Sequence, residues 1–75
     1  MTLAQAAMKS PSRILGFERI DALEEARLRA LGVTPGGVIT KLLRTPLRDP
    51  VECLVGPQLL TMDAWLLERI LVEPA

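Results

Sequence analysis

Residues 38–45 read VITKLLRT, and apolar and polar side chains alternate closely enough there to predict a strand. Alternation puts Val38, Thr40 and Leu42 on one face and Ile39, Lys41, Leu43 and Thr45 on the other, with Lys41 marking the second as the outer face. The same period predicts a strand at 51–55 (VECLV), with Val51, Cys53 and Val55 pointing one way. Residues 13–20 (RILGFERI) also have strand chemistry; Ile14, Phe17 and Ile20 are candidate core residues, and Gly16 marks a bulge or a close backbone approach. Short strands follow at 59–62 and 70–72. The period changes at 21–31 (DALEEARLRAL), which predicts a helix whose apolar face is Leu23, Ala26, Ala30 and Leu31, widened by Leu28. Asp21 and Glu24 stand at capping-box spacing, and Glu25 precedes Arg29 in the favourable i,i+4 order. Asp63 opens a short helical turn at 64–69 (AWLLER). Residues 1–8 (MTLAQAAM) predict a frayed turn or short strand with Leu3 tucked in, a single helical turn being the alternative, and KSPS at 9–12 is a turn.

The connection GVTPGG, 32–37, holds three glycines and a proline. Gly32 falls where a helix-ending residue with positive φ belongs, which makes Val33 the residue that folds back on Leu28. Pro35 and Gly36 then supply the central pair of a type II turn. A loop bounded by Pro46 and Pro50 and a hairpin turn at Gly56-Pro57-Gln58 separate the later strands. Several short strands and one helix in 75 residues predict a small mainly-β barrel of the SH3-like kind. The helix at about 21–31 is inserted after the first long strand, and residues 1–12 form an extension and turn ahead of a domain at 13–73. A small α+β sheet covered by the helix is the alternative, and a closed barrel would remove the exposed edges such a sheet keeps.

Composition narrows the chemistry. The chain is 49% hydrophobic with a mean hydropathy of +0.30, too apolar for a disordered segment. Nine basic residues balance nine acidic ones, and the densest basic stretch is only Lys41, Arg44 and Arg48, which argues against a nucleic-acid surface. The single cysteine, Cys53, excludes an internal disulfide, and no apolar run approaches membrane-spanning length. A cytoplasmic protein is expected. Histidine is absent, so neither a Ser-His-Asp nor a Cys-His constellation can form, and no enzyme is expected. No cofactor is expected either. A divalent metal such as Fe²⁺ would have only carboxylates to hold it, with Asp49 and Glu52 the nearest pair.

The order Leu28…Leu31-Gly32-Val33-Thr34-Pro35-Gly36…Val38, then Pro46…Asp49-Pro50-Val51, then Gly56 and the tail Ile70-Leu71-Val72-Glu73, resembles the FeoA family over residues 13–73. The resemblance implies an SH3-like domain, related to the C-terminal domain of metal-dependent repressors of the diphtheria toxin repressor type. It implies an accessory or regulatory protein of ferrous iron uptake, working by protein–protein contact with the cytosolic part of the FeoB transporter, and hence cytoplasmic or peripheral to the inner membrane through that partner. A metal-associated regulatory module and a small-barrel nucleic-acid binder are the alternatives. Arg48, where many members carry glycine, Asp63, where a basic residue is common, and Ser10-Pro11, in place of a glycine-containing turn, depart from the family pattern.

Among the individual residues, Cys53 reads as core. Leu43, Leu47 and Leu54 are apolar positions on the side that alternation calls outer, with Trp65 as a bordering anchor and Arg44 and Arg48 as a charged rim. These six are the candidate partner-binding residues, and self-association is the other use of such a patch. Gly32, Pro35 and Gly36 are the structural residues.

Overall fold

The computed structural model describes residues 1–44 and 49–75. Five strands form one antiparallel sheet in the order β4-β3-β2-β1-β5. They are β1 (Ser12–Phe17), β2 (Val38–Arg44), β3 (Val51–Val55), β4 (Gln58–Met62) and β5 (Ile70–Pro74). Helix α1 (Ala22–Ala30) links β1 to β2, and α2 (Ala64–Leu67) links β4 to β5. The sheet does not close: β4 and β5 are its two edges. Its inner face, with Ile14, Ile39, Val51, Cys53, Val55, Met62, Ile70 and Val72, surrounds one core to which Leu28, Val33, Leu66 and Leu67 are added.

The N-terminal segment, expected as an extension ahead of the domain, packs into this core. Its 3-10 turn, Leu3–Gln5, buries Leu3, and Ala6 follows it inward. Met1 and Thr2 lie along β5: Val72 N–H donates to the Met1 carbonyl at 2.8 Å, and Thr2 pairs with Leu71. Gly16 sits at the expected bulge, because the β1–β5 register slips between Ile14 and Gly16 and leaves Leu15 as the extra, exposed residue.

The corner at 32–37 is built as its residues dictate. Val33 N–H donates to the Leu28 carbonyl at 2.9 Å and Gly32 N–H to the Arg29 carbonyl at 3.0 Å, the two bonds of a Schellman stop, with Gly32 at φ +92°. Leu28 and Val33, brought together by that stop, are both buried. Gly37 N–H then donates to the Thr34 carbonyl at 3.0 Å across a turn in which Gly36 has φ +90°. Gly36 N–H and the Gly37 carbonyl each bond Ile14, at 2.8 Å, so the turn is also tied to β1.

Two expectations about faces are corrected. Ile39 and Lys41 point into the core and Val38 is exposed, the reverse of the predicted parity for β2. Lys41 is only 1% exposed. Its aliphatic stem fills core volume while its Nζ donates to the Ala4 carbonyl at 3.1 Å, so a lysine on this strand did not mark the solvent side. A register shift between Lys41 and Leu43 then returns Leu43 to the outer face. In α1, Leu28 alone is buried, and Leu23 is 74% exposed. The Schellman stop turns the stripe Glu24, Arg27, Leu28, Leu31 toward β4 and α2, which leaves Leu23, Ala26 and Ala30 outward. The helix start is as expected: Glu24 N–H donates to Asp21 Oδ1 at 2.8 Å, and Arg29 meets Glu25 at 3.0 Å.

Gly36→Ala is expected to cost about 1–2 kcal/mol through backbone strain alone, since its Cβ would meet nothing within 4 Å. Gly37→Ala meets a different constraint, as its Cβ would stand 3.1 Å from the Thr34 carbonyl, which would have to shift by a few tenths of an ångström. Urea unfolding measures both, and a Gly36→Ala protein as stable as wild type would contradict the turn.

Candidate interaction surface

The β3–β4 hairpin decides which side chains reach the outer face. Val55 pairs with Gln58 across Gly56-Pro57, and Gly56 has φ +57°, as a two-residue turn of the II′ kind requires. Cross-strand partners share a face, so Leu54 stands beside Leu59 and Glu52 beside Thr61. On β2, Thr40 pairs with Leu54 and Leu43 with Glu52. The outer face therefore carries Leu43 (58% exposed), half-buried Leu54 and Leu59 (61% exposed) around Glu52. Leu59 is the member that sequence reading missed; its position opposite Leu54 was the available signal.

Leu43 and Leu54 lie on one face as expected. Arg44 is exposed at the end of β2, where it pairs with Val51 and so takes the opposite pleat from Leu43. Leu47 and Arg48 lie outside the described residues. Trp65 does not border the leucines. It is 48% exposed and lines a groove of about 190 Å³ between α1 and the β4–α2 connection, together with Leu28, Leu31, Leu60, Met62 and Leu66. Leu60 and Met62 occupy the pleat opposite Leu59, which separates groove from patch, while Thr61 at the sheet edge also lines the groove. The Arg69 guanidinium stands 5.9 Å from the Trp65 ring centre and holds one side of the indole.

The match to known proteins agrees with this geometry. The model of the FeoA domain matches residues 1–74. The chain belongs to the FeoA family. Among solved structures, the iron(II) transport protein A of Clostridium thermocellum is 31% identical with a TM-score of 0.86, covering 100% of this chain and 46% of that one. The chain thus spans about half of that relative's length. The FeoA protein of Chlorobium tepidum is 27% identical with a TM-score of 0.90, over 99% of this chain and 70% of the other. A zinc complex of Stenotrophomonas maltophilia FeoA, described as a prokaryotic SH3 domain protein and a candidate ferrous iron transport activating factor, is 21% identical with a TM-score of 0.81, over 97% of this chain and 89% of that one. A manganese-dependent transcriptional repressor shares the fold at 9% identity and a TM-score of 0.85, covering 100% of this chain and 41% of that chain. No curated protein matches the chain. The fold is SH3-like with an open sheet, and no helix among the described residues is long and apolar enough to cross a membrane.

The residues singled out for metal have other surroundings in this FeoA-family domain. Asp49 Oδ1 accepts from Ala64 N–H at 2.8 Å, so Asp49 caps α2 from across the molecule. Asp63, expected as that cap, is the N-cap residue by backbone position but makes no side-chain bond there. Glu52 sits on the outer face among the leucines. Among the described residues no three metal-ligating side chains cluster. Cys53 is fully buried, and burial pushes its thiol up to about 11, against the pull of Lys41. Burial, with Arg44 nearby, holds Lys41 below its ordinary value.

Asp49→Ala is expected to lower stability by about 0.5–2 kcal/mol through the lost cap. The loss is the same with and without Fe²⁺ in thermal unfolding under anaerobic conditions. An Asp49→Ala protein that differs from wild type only when Fe²⁺ is present would make the carboxylate a ligand and not a cap.

Proposed function

We propose that this FeoA-family chain is an accessory protein of ferrous iron uptake, acting by contact between its outer sheet face and the cytosolic part of a FeoB-type transporter. The observation that carries the reading is the leucine face. Leu43 and Leu59 are more than half exposed on a strand surface where solvent-facing positions are ordinarily polar. A partner that covers them for part of the time removes that apolar area from water. Glu52, at the centre of the face, gives the partner one charge to match, and the exposed Arg44 ends β2 on the opposite pleat. Charges placed at such a rim act on encounter rate and partner choice more than on net affinity.

The chemistry is therefore recognition, without bond making. Family membership supports the link to ferrous iron transport, and the exposed leucines support contact as the means. The domain would then act on the transporter as a bound regulator, with iron as the transporter's cargo and not as a resident of this chain.

Leu43→Glu should leave the fold intact, because the side chain already meets solvent. It should weaken titrated binding to the transporter's cytosolic domain by about tenfold or more, as loss of a central apolar contact does. Circular dichroism of the variant checks the fold. A folded Leu43→Glu protein that binds like wild type would move the contact elsewhere, with the groove around Trp65 next in order.

A further inference from the structure

The two edges of the open sheet are treated differently. β5 is covered by the N-terminal residues: Val72 exchanges bonds with Met1, at 2.8 and 3.3 Å, and Thr2 pairs with Leu71. β4 has no strand beside it among the described residues; α1 approaches it, with Gln58 Nε2 donating to the Leu31 carbonyl at 3.2 Å and Thr61 sharing the groove with Glu24 and Arg27. The register of β4 fixes which of its backbone groups are free. Val55 and Gln58 flank a two-residue turn and are a hydrogen-bonded pair, since the other ladder pattern would require Gly56 to bond its own neighbour Pro57. The groups of Gln58, Leu60 and Met62 therefore point to β3, and those of Leu59 and Thr61 point away from the sheet. Neither Leu59 nor Thr61 has a backbone or side-chain partner among the described residues.

We propose that this edge pairs with the same edge of a second copy, about a two-fold axis through Leu60. The pattern is self-complementary. An antiparallel pairing centred on Leu60 sets Leu59 opposite the second copy's Thr61, and Thr61 opposite its Leu59. Both residues of each such pair present outward N–H and C=O groups, so four ladder bonds form with no change in either strand. Gln58–Met62 contains no charged residue and no proline, so the strand itself lacks two of the devices that normally blunt an edge. The chain's nine basic and nine acidic residues leave no net repulsion between copies. On one side of the joint sheet, Leu60 meets Leu60 over the groove lined by Leu31 and Trp65. On the other side, the leucine faces of the two copies become one surface. The pairing goes beyond the proposed transporter contact and does not depend on it. Its area is that of a short edge, so the dimer is reversible and weak.

Sedimentation equilibrium of the full chain is expected to show a monomer–dimer equilibrium within the range of about 10 μM to 1 mM, the regime of small interfaces. Thr61→Pro removes an N–H that points out of the edge, a position where proline is tolerated, and should leave a folded monomer. Leu59→Lys with Thr61→Lys places lysines opposite one another across the axis and should also give a monomer. Leu59→Lys with Thr61→Glu places opposite charges there and should restore the dimer in a salt-sensitive form. Leu43→Glu, away from the edge, should dimerise like wild type whether or not it binds a transporter domain. A wild type that stays monomeric throughout the range overturns the proposal and leaves the edge to a strand from another protein. So does a Thr61→Pro protein that still dimerises, or a Lys/Glu pair that behaves like the Lys/Lys pair.

Discussion

The two-residue turn at Gly56-Pro57, with Gly56 at φ +57°, fixes the hairpin register. With Val55 and Gln58 held as the bonded pair, Cys53 faces Leu60 and Val51 faces Met62 toward the core, while Leu54 and Leu59 are set side by side on the outside. A slip of one residue would send Leu59 inward and expose Leu60 and Met62, emptying part of the core and rebuilding the surface at once. The composition of the core, the leucine face and the free backbone of β4 are thus three results of one constraint.

The rest of the molecule shows how a domain of 75 residues keeps such a sheet folded. An open sheet this small buries too little by itself, and the ends of its core are closed by pieces recruited from elsewhere. Leu3 and Ala6 come from the N-terminal turn, Leu28 and Val33 from the helix stop, and Leu66 and Leu67 from α2. Each piece is fixed by a local device: a threonine N–H on Gln5, the glycine at 32, and Asp49 reaching across to Ala64. Lys41 belongs to the same scheme. A long flexible stem fills space between the sheet and the N-terminal turn, and its ammonium ties the two together through the Ala4 carbonyl.

Most of this was legible where local chemistry acts alone. The stop at Gly32, the turn at Gly36, the bulge at Gly16 and the hairpin at Gly56-Pro57 could each be read because glycine and proline leave few backbone options. Strand parity in β2 was not legible, since Ile39-Thr40-Lys41-Leu42 supports either face and only the tertiary position of Ala4 makes a buried lysine tolerable. The orientation of α1 was hidden for a similar reason. Its apolar residues run around the helix, and the docking of Leu28 against Val33, not their number, decides which stripe turns inward. Of the candidate interaction residues, Leu54 followed from alternation; Leu43 reaches the outer face only through the register shift after Lys41, and Leu59 needed the hairpin register. Trp65 could not be placed without knowing how α2 closes one end of the core.

The proposed function rests on contact between the outer sheet face, set by the hairpin register, and a FeoB-type transporter. Amide chemical-shift mapping of the isotope-labelled chain, titrated with the cytosolic domain of a FeoB-type transporter, tests that most directly. The predicted result is a contiguous set of shifts over Leu43, Glu52, Leu54 and Leu59, with the groove residues Leu31 and Trp65 unchanged. Shifts confined to Leu31, Trp65 and α1, with the leucine face silent, would contradict it.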